Sequence, residues 1–92
     1  MLQGSKKHTA GDTIRWRIDY SRWLENTAGI TTADVTSSSA TCTVANVTVL
    51  GPEVIFFIDG GVVGEKLTVS IAMTDSLNNV KHDTIAYTVV AP

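Results

Sequence analysis

The chain has 92 residues, 43% of them hydrophobic and 17% charged, and its net charge is −2. This size suits one domain with one modest core, and the composition is too apolar for a disordered chain. A single cysteine excludes an internal disulfide, no apolar segment reaches the roughly 20 residues of a membrane helix, and the acidic isoelectric point near 5.5 argues against a nucleic-acid partner.

The first elements of the chain are predicted to be a flexible arm and a half-buried strand. Residues 1–11 are polar and contain two glycines, which predicts a mobile N-terminal arm and leaves residues 12–92 as a single domain. Thr13 to Asp19 alternates strictly, with Ile14, Trp16 and Ile18 on one face and Arg15 and Arg17 on the other. This period of two is typical of a strand with one buried face.

Beyond residue 19 the pattern predicts a β-sandwich of about six or seven short antiparallel strands, with a small barrel as the rival. Tyr20 to Leu24 breaks the alternation, which favours a short helical turn that tucks Trp23 or Leu24 under the sheet. Asn46 marks a bulge or a tight turn within its strand. The further strands are predicted at Ile30–Thr36, Thr41–Leu50, Val54–Ile58, Leu67–Thr74 and Val80–Val90, with turns at Asn26–Gly29 and Asp75–Asn79.

The run Val54–Ile58 lacks a polar face. Because strand side chains alternate, one side of it faces the core and the other presents large apolar residues outward. Two interpretations stay open: a central strand that its own loops cover, or a contact surface for a partner. The sequence also leaves open whether Phe56 or Phe57 points inward, since a slip of one residue swaps the faces.

Charge is distributed unevenly along the chain. Up to Arg22 there are five basic and two acidic residues, whereas two lysines oppose seven acidic residues from Trp23 onward. Such asymmetry indicates an electrostatically steered contact or a head-to-tail self-contact, or only a solvated strand face next to a basic tail. Our candidate interface residues are Arg15 and Arg17, for charge-assisted bonds to partner carboxylates, with Ile55 and Phe57 for apolar contact.

No group of residues suggests catalysis, a metal site or a cofactor. His8 and His82 stand in no acid–base motif, and Asp59 beside two glycines is better explained as a turn carboxylate than as a calcium ligand. Trp16, Tyr20 and Trp23 are spaced for a sugar-binding platform, but the phase of Trp16 favours a core position. We therefore expect a protein that is not an enzyme and that binds no cofactor and no metal.

Two segments of the chain carry a family resemblance: Asp19-Tyr20-Ser21-Arg22-Trp23-Leu24, and the stretch from Phe56-Phe57-Ile58-Asp59-Gly60-Gly61 through Gly64 and Leu67 to Val69. With these segments the chain resembles a small family of phage proteins called fiber–tail adaptor proteins. The resemblance covers most of residues 8–90, although Leu67 stands where the family usually has a tyrosine.

The resemblance implies an immunoglobulin-like β-sandwich without catalytic residues. It further implies a structural virion protein, made in the host cytoplasm, that docks onto the tail or head–tail assembly. The partners would be other virion proteins, with a homo-oligomer in a symmetric ring, and neither nucleic acid nor membrane. The alternatives are a capsid decoration or cement protein and a carbohydrate-binding module.

Overall fold

The computed structural model describes residues 2–24 and 29–92 of the chain, so most of the predicted turn at Asn26–Gly29 lies outside the described residues. Two sheets pack face to face, one with the order β1-β7-β6-β3 and one with the order β2-β5-β4. Their strands are β1 (Leu2–Thr9), β2 (Thr13–Asp19), β3 (Ile30–Ser37), β4 (Cys42–Leu50), β5 (Glu53–Gly60), β6 (Lys66–Asp75) and β7 (Val80–Val90). The predicted all-β sandwich is confirmed, and the barrel is excluded.

The finer, immunoglobulin-like label stays a prediction. A constant-type immunoglobulin domain groups its strands as ABED and CFG. In this chain the first strand lies instead beside the last one, and the pair is parallel, whereas every other pair of neighbouring strands is antiparallel. No helix in the described ranges is long and apolar enough to span a membrane.

The core lies between the two sheets and is built from alternate residues of the central strands. Strand β6 contributes Leu67, Val69, Ile71 and Met73, strand β7 contributes Ile85, Tyr87 and Val89, and strand β5 contributes Val54, Phe56 and Ile58, all of them buried. These are the faces that the alternating pattern predicts for β6 and β7. Phe56 is fully buried, which settles the question that the sequence left open for β5.

Strand β4 forms one continuous element in which the pairing with β5 shifts between Ala45 and Thr48. Asn46 occupies the left-handed region there, with a φ of 52°. Of the two predicted explanations for this residue, the bulge is therefore confirmed. Cys42, predicted to act as a small hydrophobe, is fully buried at the start of the strand. Burial raises the pKa of its thiol, and Glu65 and Asp59 add to the shift.

The segment for which the sequence predicts a mobile arm contains strand β1, which pairs with β7. His8 holds its end in place: this side chain is 1% exposed, and its Nε2 lies 3.0 Å from the carbonyl oxygen of Gly60. The sequence gives no sign of the strand, since the backbone pairing with β7 requires no apolar alternation.

The break in alternation after β2 is a tight turn, as predicted. The amides of Trp23 and Leu24 both donate to the carbonyl of Tyr20, and the side chains of these two residues pack against the core. Tyr20 itself is buried, and its hydroxyl donates to Asp83 Oδ2 at 2.7 Å. Burial and this carboxylate raise the pKa of Tyr20, so the phenol stays protonated.

Candidate interaction surface

The outer face of the three-stranded sheet carries all four candidate interface residues. Since β5 is the middle strand and Val54, Phe56 and Ile58 point into the core, Ile55 and Phe57 point outward. This face also includes outward residues of β2 and β4. We refer to the set Thr13, Arg15, Arg17, Asp19, Thr43, Ala45, Thr48, Leu50, Glu53, Ile55, Phe57 and Asp59 as the outer face.

The register of β2 on β5 brings the two arginines and the two apolar residues together. Arg15 lies directly opposite Phe57, and Arg17 lies directly opposite Ile55. On the other side of β5, Ala45 and Thr48 are the direct neighbours of the same two residues. Side chains of directly opposed residues are in contact range, so these residues form one continuous patch.

Ile55 and Phe57 differ in how much surface they offer. Ile55 is only 6% exposed, whereas Phe57 is half-buried. Arg17 and Thr48 flank Ile55, and the aliphatic stem of an arginine covers neighbouring apolar surface. Side chains of the neighbouring strands, and not loops, therefore cover Ile55, whereas Phe57 presents accessible apolar area, and a partner contact on this run stays a prediction.

The arginines are available for a partner. Arg17 Nε lies 3.8 Å from Glu53 Oε2, but its side chain is 64% exposed, so this ion pair is weak. Arg15 is exposed and forms no ion pair within the described ranges. The acidic residues of the face have local partners instead: Asp59 accepts a hydrogen bond from Thr13 Oγ1 at 2.6 Å. The Ser21 amide, donating to Asp19, lowers the pKa of that carboxyl.

Sequence reasoning missed Leu50, which is 60% exposed at the β4 edge of the outer face. It lies opposite Glu53, one pair beyond Thr48 and Ile55 on the outer face, so it places a second exposed apolar side chain near the end of the sheet. The bulge at Asn46 hides this position in the sequence, since it inverts the alternation within β4. If the inward and outward positions of β4 are assigned separately before and after Asn46, the sequence places Leu50 on the outer face.

The three aromatic residues that could stack on a sugar have separate roles. Trp16 packs edge-on against Tyr87, with ring centroids 5.2 Å apart, and Tyr20 is buried on Asp83. Trp23 lies beneath the ammonium of Lys81, 5.6 Å from the ring centroid. These residues form no common platform, and no cluster of three potential metal ligands occurs in the described part of the chain.

Comparison with known proteins assigns the family. The family model of the podophage GP4 fiber-tail adaptor protein gp77 matches residues 8–88. A search of curated proteins gave no match. Among solved structures, a 2,6-sialyltransferase of Photobacterium sp. JT-ISH-224 is similar in fold, with a TM-score of 0.61 and 9% identity over 100% of this chain. This chain spans 18% of that enzyme's length, and at this identity the likeness concerns the fold alone.

The chain belongs to the podophage fiber-tail adaptor family, because the family model matches most of its length. It is therefore a non-enzymatic structural component of the phage tail. The resemblance identified from the two sequence segments is confirmed.

Proposed function

We propose that the chain connects tail fibers to other tail proteins and that its outer face is the docking surface for one of them. The observation that supports the proposal is the direct pairing of Arg15 with Phe57 and of Arg17 with Ile55 on that face. Two exposed cations beside an accessible aromatic side chain combine the features that interfaces favour, namely aromatic and arginine residues around a desolvated centre.

The charges define the chemistry of the partner. Because Asp59 and Asp19 already accept hydrogen bonds within the chain, the arginines are the groups left to bind across the interface. A complementary surface would carry carboxylates spaced to reach Arg15 and Arg17, with an apolar side chain that packs on Phe57. Arginine–carboxylate bonds of this kind are directional and fix the orientation of the partner.

The proposal extends to the assembly: several copies form a symmetric ring around the tail. The ring gives each fiber an equivalent site, since closed symmetric assemblies repeat one contact around their axis.

The double substitution of Arg15→Glu and Arg17→Glu tests the docking surface. We expect phage that carry it to contain at least about tenfold less adaptor per particle, because reversing close charges costs several kcal/mol at an interface. Quantitative mass spectrometry of purified particles measures the adaptor content, and we expect infectivity to fall together with that content. Lys66→Glu, an exposed charge reversal on the other sheet, serves as the control.

Phage that carry Phe57→Ser should also contain less adaptor per particle, while the variant protein stays folded. If phage with both arginines reversed retain the adaptor at the level of the Lys66→Glu control, the outer face is not the docking surface.

A further inference from the structure

Strand β2 forms a regular free edge of the three-stranded sheet. It pairs with β5 from Thr13 to Asp19 without a register shift, and it contains neither proline nor glycine. The other edge of this sheet, β4, is interrupted by the bulge at Asn46. The backbone groups of β2 that point away from β5 therefore form an uninterrupted row, which an extended segment can join through main-chain hydrogen bonds.

The sandwich is open beside this edge. On its opposite side β3 and β4 lie against each other, and the Ser37 hydroxyl donates to the Cys42 carbonyl oxygen at 2.7 Å between them. Between β1 and β2, by contrast, lies a cleft of about 260 Å³ whose walls include Lys6, Trp16 and Ile18. Side chains of a segment paired with β2 would therefore find room on the inner side of the sheet.

The two sides of β2 present different chemistry along the edge. Arg15 and Arg17 are exposed on the outer side, whereas Ile14, Trp16 and Ile18 lie on the inner side, with Ile14 40% exposed. Charges on an edge discourage pairing with a strand of the same sign, but these arginines attract carboxylates. Side chains of neighbouring strands share the faces of their sheet. The residues of an added segment would therefore be acidic beside the arginines and apolar toward the cleft.

We propose that β2 accepts an extended segment of the tail protein that holds the adaptor on the particle, and that acidic and apolar residues alternate in this segment. The inference rests on the proposed function and identifies what the arginines of the outer face bind. A second copy does not supply the segment, because none of the seven strands in the described ranges has acidic residues at two alternate positions. Lys6, exposed at the cleft, adds a third positive charge beside the edge.

A charge on the inner side of β2 tests strand addition and leaves the outer face unchanged. Since Ile14 is 40% exposed, the ammonium of Ile14→Lys reaches water in the free adaptor, but an added strand would cover it. We expect phage that carry this variant to contain about tenfold less adaptor per particle, because burying an unpaired charge costs more than a hydrogen bond contributes. Val47→Lys, at a position on β4 that is 38% exposed, is the matched control.

Hydrogen exchange shows where the segment binds. Purified adaptor is added to tail particles that lack it, and the exchange of its amides is measured by mass spectrometry. The β2 amides that face the free edge should exchange about tenfold more slowly on the particle, the effect of one hydrogen bond at each. Amides of β4, at the other edge of the same sheet, should keep their exchange rates. Raising the concentration of adaptor alone should slow neither strand.

Other outcomes would overturn the inference. If phage with Ile14→Lys retain as much adaptor as phage with Val47→Lys, while Arg15→Glu with Arg17→Glu still removes it, the outer face docks through side chains and no strand is added. If none of these variants loses adaptor, the proposed docking surface fails as well. Equal slowing of β2 and β4 would mean that the partner covers the face without extending the sheet. Slowing of β2 by adaptor alone, or by tail fibers alone, would assign the edge to a second copy or to the fiber.

Discussion

Phe56 and Phe57 are neighbours in sequence with opposite roles, and their alanine variants should separate stability from docking. Phe56 is fully buried between the sheets, whereas Phe57 lies half-buried on the outer face. Truncating a fully buried phenylalanine costs about 3–5 kcal/mol, since the lost transfer free energy is joined by a cavity term. Domains of this kind have a free energy of unfolding of only about 5–15 kcal/mol.

Phe57→Ala should cost much less. On the outer face no closed cavity forms, and part of the apolar area is already in water, so the expected loss is about 1–2 kcal/mol. The cross-strand contact with Arg15 on one side and Ala45 on the other is included in this range.

Urea denaturation followed by tryptophan fluorescence measures both values. We expect the midpoint to fall in both variants at nearly constant slope, by at least twice as much for Phe56→Ala as for Phe57→Ala. Adaptor content of phage particles should show the opposite order at a temperature where both variants are folded. Equal losses of stability would refute the assignment of the two faces of β5.

The remaining predictions concern the end of the sandwich where the β5–β6 loop lies. The Ser39 hydroxyl, with further bonds from Val62 and Thr41, lowers the pKa of Glu65 from its ordinary value of 4.5. The stability it contributes is therefore present above pH 4.5 and lost as the pH falls through the lowered value, so Glu65→Gln should flatten the acid side of a stability–pH curve. Gly60→Ala should destabilise more than Gly64→Ala in thermal unfolding: both have φ near 90°, but a Cβ at Gly60 would lie 2.7 Å from Thr41 O, and one at Gly64 meets nothing. Equal losses of thermal stability in the two variants would mean that backbone strain alone accounts for both, and that the close approach to Thr41 adds nothing.

The strands that the sequence predicts well are those with one clearly buried face. From Leu67 to Met73 in β6 and from Ile85 to Val89 in β7 every second residue is large and apolar, and the structure buries those residues. Strand β2 shows the limit of this rule. Its apolar residues alternate as strictly, yet Ile14 is 40% exposed because β2 lies at an edge of its sheet. The period of two gives the face of a residue but not its distance from the edge.

The candidate surface was predictable in its residues but not in its arrangement. The missing polar face of β5 and the alternation of β2 select Ile55, Phe57, Arg15 and Arg17. That Arg15 meets Phe57, and not another residue of β5, depends on an antiparallel register that joins positions about 40 residues apart. Strand β1 could not be predicted at all, since its sequence has no apolar period and backbone bonds to β7 hold it.

A docking face with one accessible aromatic residue is small, so a single copy would bind its partner weakly. In the proposed ring the copies are held on the same tail, and each docked copy raises the effective concentration of its neighbours at their own docking sites. Weak contacts of this kind therefore suffice for a stable adaptor, provided that several form together.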